Sequence, residues 1–241
     1  MCQILGISYK MPAAWNKAWD KFRERAAQNR DGWGIAYGDI NGLAVMKQPE
    51  RADRSALAAA LGKTELPAPM MIGHVRLASR GSIAITNTHP FFANVNGRDW
   101  AMVHNGSLVR YGLTPGQYGQ TDSESFFLRM VKDLEAIYTN SPYDVAELIA
   151  GLARSAGKHG KLNIIIIGGE HMYVHTNVVG SLFQLQTRAG VMFCSQPLTR
   201  QRGWKPVELN RVYVFRAGEF FYRTDMRKHV PLMARQVSIF A

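Results

Sequence analysis

The sequence predicts an α+β fold in which most strands pair antiparallel. Short apolar segments of strand length recur along the chain. Three of the junctions between them carry residue pairs that can adopt the positive φ angles of tight hairpins, namely Gly168-Gly169, Ala189-Gly190 and Ala217-Gly218. Two helix-like segments stand together in mid-chain, unlike the regular strand–helix alternation of a parallel sheet. No repeat, low-complexity tract or linker divides residues 1–241, so we predict a single domain.

The first half of the chain is predicted to mix strands with two helices. Trp15, Trp19 and Phe22 recur at helical spacing and indicate a helix over residues 15–29. An Ala-rich helix is expected over residues 53–61, with Asp53 as its N-cap because a carboxylate can accept the free backbone N–H groups. The strands expected in this half cover residues 4–8, 34–37, 43–47, 70–75 and 100–104.

The second half of the chain is predicted to contain two helices followed only by strands. The first helix covers residues 123–138, and the second begins at the capping pair Ser141-Pro142 and runs to about Ala156. The strands expected after it cover residues 162–167, 172–175, 182–188, 191–194, 211–216 and 219–222.

The composition is that of a soluble globular protein. Of the 241 residues, 46% are hydrophobic and 20% are charged. The N-terminus lacks the basic and apolar regions of a secretory signal, and the most apolar run, residues 164–167, is far too short to span a bilayer. With only Cys2 and Cys194 no disulfide framework is expected. The sequence thus predicts a cytoplasmic protein with no membrane contact.

The net charge of +11 raises the question of nucleic-acid binding. Much of the positive charge lies late in the chain, at Arg200, Arg202, Lys205, Arg211, Arg216, Arg223, Arg227, Lys228 and Arg235. These residues are spread over strand-like sequence with no continuous basic helix, zinc knuckle or other nucleic-acid motif. We therefore expect a basic solvated face and no nucleic-acid partner.

A cysteine stands at position 2, directly after the initiator methionine. Methionine aminopeptidases remove Met1 when the next side chain is small, so we expect the mature chain to begin at Cys2. That residue then carries a thiol with a pKa of about 8.5 and an α-amine with a pKa of about 7.7–8.0. The amine is substantially neutral near pH 7 and can act as the base for the thiol. By itself, a cysteine at position 2 is weak evidence for this chemistry.

Six segments in a fixed order strengthen this interpretation. They are Met1-Cys2-Gln3-Ile4-Leu5-Gly6, Asp31-Gly32-Trp33-Gly34, Gly73-His74-Val75-Arg76-Leu77-Ala78-Ser79-Arg80-Gly81, Asn87-Thr88-His89-Pro90-Phe91, His104-Asn105-Gly106 and Thr121-Asp122-Ser123-Glu124. Together they resemble the class II glutamine amidotransferases, which include the glutaminase domains of amidophosphoribosyltransferase, glucosamine-6-phosphate synthase and asparagine synthetase. Three of the motifs are more similar to the small stand-alone branch, with its YafJ-like proteins and the γ-glutamyl hydrolase of ergothioneine biosynthesis. The resemblance covers residues 1 to about 125, and weakly to about 200.

The resemblance implies a four-layer αββα sandwich of the N-terminal nucleophile hydrolase type. It implies that Cys2 is the nucleophile and that the Asn105 side-chain amide and the Gly106 backbone N–H form the oxyanion hole. Arg76 would pair with the α-carboxylate of glutamine, and Asp122 would accept from its α-ammonium group. The remaining residues that the resemblance implies near the substrate are Trp33, Ser79, Arg80 and His89.

Two segments depart from the pattern of the large biosynthetic members. Ser79 and Arg80 stand where those proteins usually carry threonine and histidine, and Arg80 adds a positive charge that could act on whatever lies beyond the γ-amide. Gln28 and Asn29 replace the Arg-Gly that usually precedes the aspartate of the motif at residues 31–34. The details of the loop that covers the pocket are therefore expected to differ.

The reaction implied is hydrolysis of the γ-carboxamide of glutamine or of a γ-glutamyl amide through a thioester on Cys2, with release of ammonia or an amine. No metal or organic cofactor is expected. Two alternatives stay open: a glutaminase subunit that feeds ammonia to a separate synthetase chain, and an inactive fold that binds a partner through its basic face. All the implied site residues are present, which favours an enzyme.

Other polar residues have simpler interpretations. His89 is expected to form hydrogen bonds within its loop and His104 to support the Asn105 segment from behind. His171 and His175 would lie about 13 Å apart on a strand, too far to share a zinc ion. Cys194 is expected to be a small buried hydrophobic residue. Whether residues 195–199 lie at the rim of the cleft stays open at this point.

Overall fold

The computed structural model describes residues 1–137 and 141–225. The strands are β1 (Gln3–Ala14), β2 (Trp33–Asp39), β3 (Gly42–Gln48), β4 (Pro67–Val75), β5 (Phe91–Val95), β6 (Arg98–Leu108), β7 (Gly160–Gly168), β8 (His171–Thr176), β9 (Phe183–Gln186), β10 (Gly190–Cys194), β11 (Lys205–Pro206), β12 (Val212–Arg216) and β13 (Glu219–Arg223). The α-helices are α1 (Asn16–Arg23), α2 (Ala56–Lys63), α3 (Asp122–Ile137) and α4 (Pro142–Gly157). Short 3₁₀ turns cover Glu24–Ala27 and Ile85–Asn87.

The strands form two sheets in which every pair of neighbours is antiparallel. The first sheet has the order β11-β9-β10-β1-β4-β2-β3, and the second has the order β13-β12-β8-β7-β6-β5. The N-terminal strand β1 therefore lies in the middle of its sheet, hydrogen-bonded to β10 on one side and to β4 on the other. This confirms the predicted α+β class with antiparallel sheets.

Three apolar clusters divide the molecule into four layers. An inner core between the sheets includes Ile4, Ile72, Val103 and Ile165. A first outer core packs α1 and α2 against the outer face of the first sheet and includes Trp15, Trp19, Phe22 and Leu61. A second outer core packs α3 and α4 against the second sheet and includes Phe126, Met130, Val145 and Ile149. This arrangement is the αββα sandwich.

The predicted hairpin turns adopt left-handed backbone conformations. Gly169 has a φ of 61° between β7 and β8, and Ala217 and Gly218 have φ values of 47° and 70° between β12 and β13. A Cβ atom on Gly218 would lie 2.7 Å from the Gly190 Cα, so this turn also needs glycine to approach the neighbouring sheet.

One helix cap differs from the prediction. Helix α2 begins at Ala56, and its N-cap is Ser55, whose hydroxyl accepts the Ala58 N–H at 3.2 Å. Asp53 forms an ion pair with Arg51 instead, at 2.6 Å. The predicted cap Ser141 is confirmed, since its hydroxyl accepts the Asp144 N–H. Of the expected features, Tyr138 at the end of α3 and the basic residues Arg227, Lys228 and Arg235 lie outside the described residues.

Candidate active site

The layer between the sheets changes from apolar to polar at one end. Side chains at alternate positions of a strand share a face. Beyond the inner-core residues, the next positions on that face are Cys2 before β1, His74 and Arg76 at the end of β4, Asn105 and Ser107 on β6, and Asn163 and Lys161 on β7. The hydrogen bonds of Ser195 with Asn105 and with the Ile4 N–H connect these ends of the two sheets. The inner layer is therefore polar at this end, which we call the cleft.

The thiol of Cys2 lies against the backbone of Leu77. Its Sγ is 3.3 Å from the Leu77 carbonyl oxygen and 3.4 Å from the Leu77 nitrogen. Burial raises the pKa of the thiol, and the Leu77 N–H, the charge of the N-terminus and the Arg76 guanidinium oppose that rise. An attacking thiolate at this position thus needs a nearby base or cation to form near neutral pH.

Arg76 is buried at the start of the loop that follows β4. Its guanidinium donates to the carbonyl oxygens of Ser82 and Arg80, both at 2.9 Å. These contacts, and longer ones to the carbonyls of Gly81 and Asp31, use only the two terminal nitrogens. Within the described chain, the Nε–H is the donor of Arg76 that remains available for a ligand.

The segment of Asp31 fixes the same loop from the other side. The Asp31 carboxylate accepts the Ala78 N–H at 2.7 Å, and its backbone N–H donates to the Arg76 carbonyl at 2.9 Å. The Arg76 N–H in turn donates to the Gly32 carbonyl at 2.7 Å. Asp31 therefore positions the residues on both sides of Leu77, which holds the thiol.

Asn105 is joined to the nucleophile strand through Ser195. The buried Asn105 Nδ2 donates to the Ser195 hydroxyl at 2.9 Å, and the backbone N–H of Ile4 donates to the same oxygen at 3.0 Å. The Ser195 backbone N–H also donates to the Ile4 carbonyl at 3.1 Å. One serine thus connects Asn105 to a residue two positions after Cys2.

The next residue, Gly106, tolerates no side chain. A Cβ atom there would lie 1.9 Å from the Lys161 carbonyl oxygen and 2.6 Å from the His104 Nε2. His104 lies behind the strand, with Nδ1 2.7 Å from the Ser123 hydroxyl and Nε2 3.2 Å from the Lys161 carbonyl. His104 therefore supports the Asn105 segment, in agreement with the sequence-based expectation.

Asp122 joins the end of β6 to the start of α3. One carboxylate oxygen accepts the backbone N–H of Leu108 in a short hydrogen bond, and the other accepts the Ser123 N–H at 3.0 Å. Asp122 is buried. The Asp122 carboxylate thus has a structural role in addition to any contact that it makes with a substrate.

Two residues expected near the substrate, Trp33 and His89, pack inside the protein. Trp33 is fully buried in the first outer core, with its ring 5.5 Å from that of Trp19. The buried His89 ring stacks 4.2 Å from His74, and burial keeps its pKa well below the ordinary value. Trp33 thus packs on the outer face of its sheet, opposite to the face of Cys2, and we correct its expected contact with the substrate. Among the described residues neither ring nitrogen of His89 has a hydrogen-bond partner, so the expected hydrogen bonds within its loop are not formed.

The other two expected residues, Ser79 and Arg80, lie exposed on the loop that Arg76 holds. The structure brings Cys2, Arg76, Asn105 and Gly106 to one end of the inner layer, and Asp122 adjoins it at the end of β6.

Sequence reasoning assigned no site role to Lys161 and left the place of Ser195 open. The alternation of positions 161, 163, 165 and 167 along the predicted strand could have assigned Lys161 to the inner face, because Ile165 and Ile167 belong there. No comparable signal was available for Ser195, since its partners are 90 and 191 positions away in the chain.

No metal site or membrane-spanning helix is found in the described ranges. They contain no group of three or more His, Cys, Asp or Glu side chains arranged to hold a metal ion. His171 and His175 lie on β8, and burial lowers the pKa of each to about 4. None of the described helices is long and apolar enough to cross a membrane.

Comparison with known sequences decides the family. The sequence profile described as class II glutamine amidotransferases matches residues 1–190, well over half of the chain. This chain belongs to the class II glutamine amidotransferases. YafJ of Escherichia coli (strain K12), described as a glutamine amidotransferase, is 28% identical over 252 residues, which cover 91% of this chain and 99% of YafJ. The match along nearly the whole of YafJ confirms the predicted likeness to the small stand-alone branch.

Solved structures of this family share the fold. A predicted glutamine amidotransferase from Pseudomonas aeruginosa superposes with a TM-score of 0.67 at 20% identity, covering 92% of this chain and all of that one. The glutamine phosphoribosylpyrophosphate amidotransferase of Bacillus subtilis superposes with a TM-score of 0.61 at 17% identity, covering 94% of this chain and 50% of that one. At these identities the likeness extends to the fold alone, and it confirms the sandwich of the N-terminal nucleophile type.

Proposed function

We propose that this amidotransferase hydrolyses the γ-carboxamide of glutamine or of a γ-glutamyl amide through a thioester on Cys2. The observation that carries the proposal is the double hydrogen bond at Ser195, which ties Asn105 to the strand of the nucleophile. Acyl transfer requires an oxyanion donor close to the attacking atom. We assign this role to the side-chain amide of Asn105.

The proposed reaction begins after removal of Met1. The free α-amine of Cys2 takes the proton from the thiol, and the resulting thiolate attacks the γ-carbonyl carbon to form a carbon–sulfur bond. The carbonyl electron pair moves to oxygen, where the Gly106 N–H and the Asn105 amide stabilise the negative charge. Such a donor contributes about 2.7–4 kcal/mol to the transition state.

For this role we propose that the Asn105 amide is turned by half a rotation. With Nδ2 on Ser195, the Asn105 Oδ1 is buried without a hydrogen-bond partner among the described residues. The Ser195 oxygen then accepts two hydrogen bonds. In the rotated arrangement the Ser195 hydroxyl donates to Oδ1, the orphaned acceptor is satisfied, and Nδ2 is free to face the oxyanion.

The intermediate then collapses and is hydrolysed. The carbon–nitrogen bond breaks, and the leaving nitrogen takes the proton that the α-amine received from the thiol. Water attacks the γ-glutamyl thioester, gives one proton to the α-amine, and releases glutamate and the Cys2 thiolate. The net reaction consumes one water and yields glutamate with ammonia or an amine, and no cofactor is required.

Recognition of the amino-acid head group is assigned to Arg76 and Asp122. The Nε–H of Arg76 is available to donate to an α-carboxylate oxygen. A second N–H becomes available if the hydrogen bond from Arg76 to the Ser82 carbonyl breaks. Asp122 would accept from the α-ammonium group. Ser79 and Arg80 on the exposed loop are proposed to contribute to the rim of the pocket.

A second candidate is a glutaminase subunit that supplies ammonia to a separate synthetase. The similarity of part of this chain to the glutamine–fructose-6-phosphate aminotransferase of Thermus thermophilus, 36% identity over 112 residues that make up 18% of that protein, supports this alternative. In either case a reduced thiol is required, which is consistent with the cytoplasmic location that we propose. The basic face is proposed as a solvated surface, without a nucleic-acid partner.

Maturation and turnover test the proposal together. Protein lacking Met1 should release ammonia from glutamine, and Cys2→Ala should abolish turnover while the far-ultraviolet circular dichroism stays unchanged. The matched control is Cys194→Ala, because Cys194 is buried in the first outer core. Intact mass and ammonia release check both steps, and full activity in protein that retains Met1 would exclude the α-amine as base.

A further inference from the structure

Lys161 occupies the cleft beside the N-terminus. It is paired with Ser107 across β6 and β7, on the face that Asn163 and Ile165 share. Its side chain is half-buried, and its Nζ lies 3.8 Å from the Met1 Sδ. In the described part of the chain no carboxylate forms an ion pair with this ammonium group.

Met1 lies next to the position that the leaving group takes in the proposed reaction. Its carbonyl carbon is bonded to the Cys2 nitrogen, which becomes the free α-amine after processing. The nitrogen that leaves the substrate has to approach that amine within hydrogen-bond distance to receive its proton. Any substituent on the leaving nitrogen therefore extends towards the space that Met1 vacates, and Lys161 borders that space.

The charge of Lys161 lacks a partner at this place. Partial burial lowers the pKa of its ammonium group, and a Cys2 thiolate opposes that decrease. An anionic group on the leaving amine would give the half-buried ammonium group a charged hydrogen-bond partner. Such a hydrogen bond contributes more to the binding free energy than one to a fully exposed cation. Arg80 is the other candidate cation, but it is exposed on its loop and is screened by solvent.

We propose that Lys161 is a specificity-determining residue that binds an anionic group on the leaving amine. The preferred substrates are then γ-glutamyl amides of amino acids or other acidic amines, with glutamine itself a poorer substrate. This inference rests on the proposed function, because it places the leaving group by means of the Cys2 amine.

The test uses two substrates of nearly equal shape, γ-glutamylglycine and the neutral γ-glutamylglycinamide, with glutamine as the reference. In the processed wild-type enzyme, kcat/KM for γ-glutamylglycine should exceed that for the glycinamide by roughly ten- to hundredfold, the range of a charged hydrogen bond. Lys161→Met should remove this preference and change kcat/KM for glutamine less than about threefold. Lys161→Arg should retain most of it, and Lys17→Met, at an exposed lysine on α1, serves as the matched control.

Several results would overturn the inference. One is a wild-type enzyme that hydrolyses glutamine but shows no preference for the charged dipeptide, which would leave the proposed function intact. Another is a Lys161→Met variant that loses activity equally on all three substrates and shifts the acidic limb of the pH profile, since Lys161 would then tune the α-amine. Absence of hydrolysis of all three substrates by processed protein would instead count against the proposed function.

Discussion

A single serine hydroxyl decides which way the proposed oxyanion donor faces. Ser195 can accept from the Asn105 Nδ2, or it can donate to the Asn105 Oδ1, and only the second arrangement frees the amide for the substrate. The Ser195 oxygen accepts a hydrogen bond from the Ile4 N–H in both cases. That contact favours the arrangement in which the hydroxyl proton points at Asn105.

Replacement of Ser195 should therefore affect the chemical step more than binding. A neutral hydrogen bond contributes about 0.5–1.5 kcal/mol, so Ser195→Ala should lower kcat by roughly two- to tenfold with KM little changed. Asn105→Ala should lower kcat by roughly 10²–10³. Ser195→Thr retains the hydroxyl and should restore kcat, whereas a loss caused only by disturbed packing would not be rescued. Steady-state kinetics of the three variants provides the measurement.

The residues of the site were predicted from the sequence only where a motif fixed them. Cys2, Arg76, Asn105 and Gly106 stand in short segments that resemble the family, and the fold brings them to one end of the inner layer. Trp33 stands in an equally clear motif but packs on the outer face of its sheet. A motif records which residue types occur together, and it does not distinguish a side chain that contacts the substrate from one that packs behind the loop.

At the scale of elements, apolar periodicity located nearly every strand and helix, and local polar chemistry was the weaker guide. The predicted strand at residues 70–75 extends to Pro67–Val75, and the helix predicted at residues 15–29 ends in a 3₁₀ turn. The N-cap of α2 was misassigned because aspartate and serine are both favoured at this position. Asp53 forms an ion pair with Arg51, and Ser55 is the cap. Sequence alone does not rank two such competitors.

Substitution of the two candidate caps tests this correction. Ser55→Ala removes the acceptor for the Ala58 N–H and should lower the free energy of unfolding by about 1 kcal/mol. Asp53→Ala removes only a partly exposed ion pair, so its effect should be smaller. Urea denaturation of both variants gives the comparison. A larger loss for Asp53→Ala than for Ser55→Ala would contradict the assignment.

At the scale of the whole molecule, several histidines are enclosed in their neutral form. Burial lowers the pKa of His74 to about 3 and the pKa values of His171 and His175 to about 4. The ordinary value in an unfolded chain is about 6.5. Between these values the unfolded chain binds protons that the folded protein does not bind, so the folded state becomes less stable as the pH falls.

Stability should therefore decrease as the pH falls below about 6.5. Each fully buried neutral histidine contributes a slope of up to roughly 1.4 kcal/mol per pH unit. Carboxylates with lowered pKa values, such as Glu219, lose their contribution to the stability of the folded state only at more acidic pH. Denaturation curves at pH 7, 6 and 5 measure the effect, and His171→Gln should flatten the slope. Equal stability at the three pH values would show that the histidines are protonated in the folded protein.

The overall class was predictable, but the order of the strands was not. Hairpins between sequence neighbours, such as β7–β8 and β12–β13, follow from turn residues that lie between the two strands. The neighbours of β1 are β4 and β10, and no local signal connects Leu5 with Gly73 or with Cys194. Such long-range pairs are selected by the burial of whole faces.

The central place of β1 also has a consequence for the order of events during translation. Cys2, the proposed nucleophile, leaves the ribosome first, yet the neighbouring strand β10 and Ser195, the hydrogen-bond partner of Asn105, are made more than 180 residues later. A nascent chain that has not reached residue 195 has a cysteine but no aligned amide to stabilise an oxyanion. The proposed active site is therefore completed only when most of the chain has been synthesised, because strand β1 cannot acquire both of its neighbours earlier.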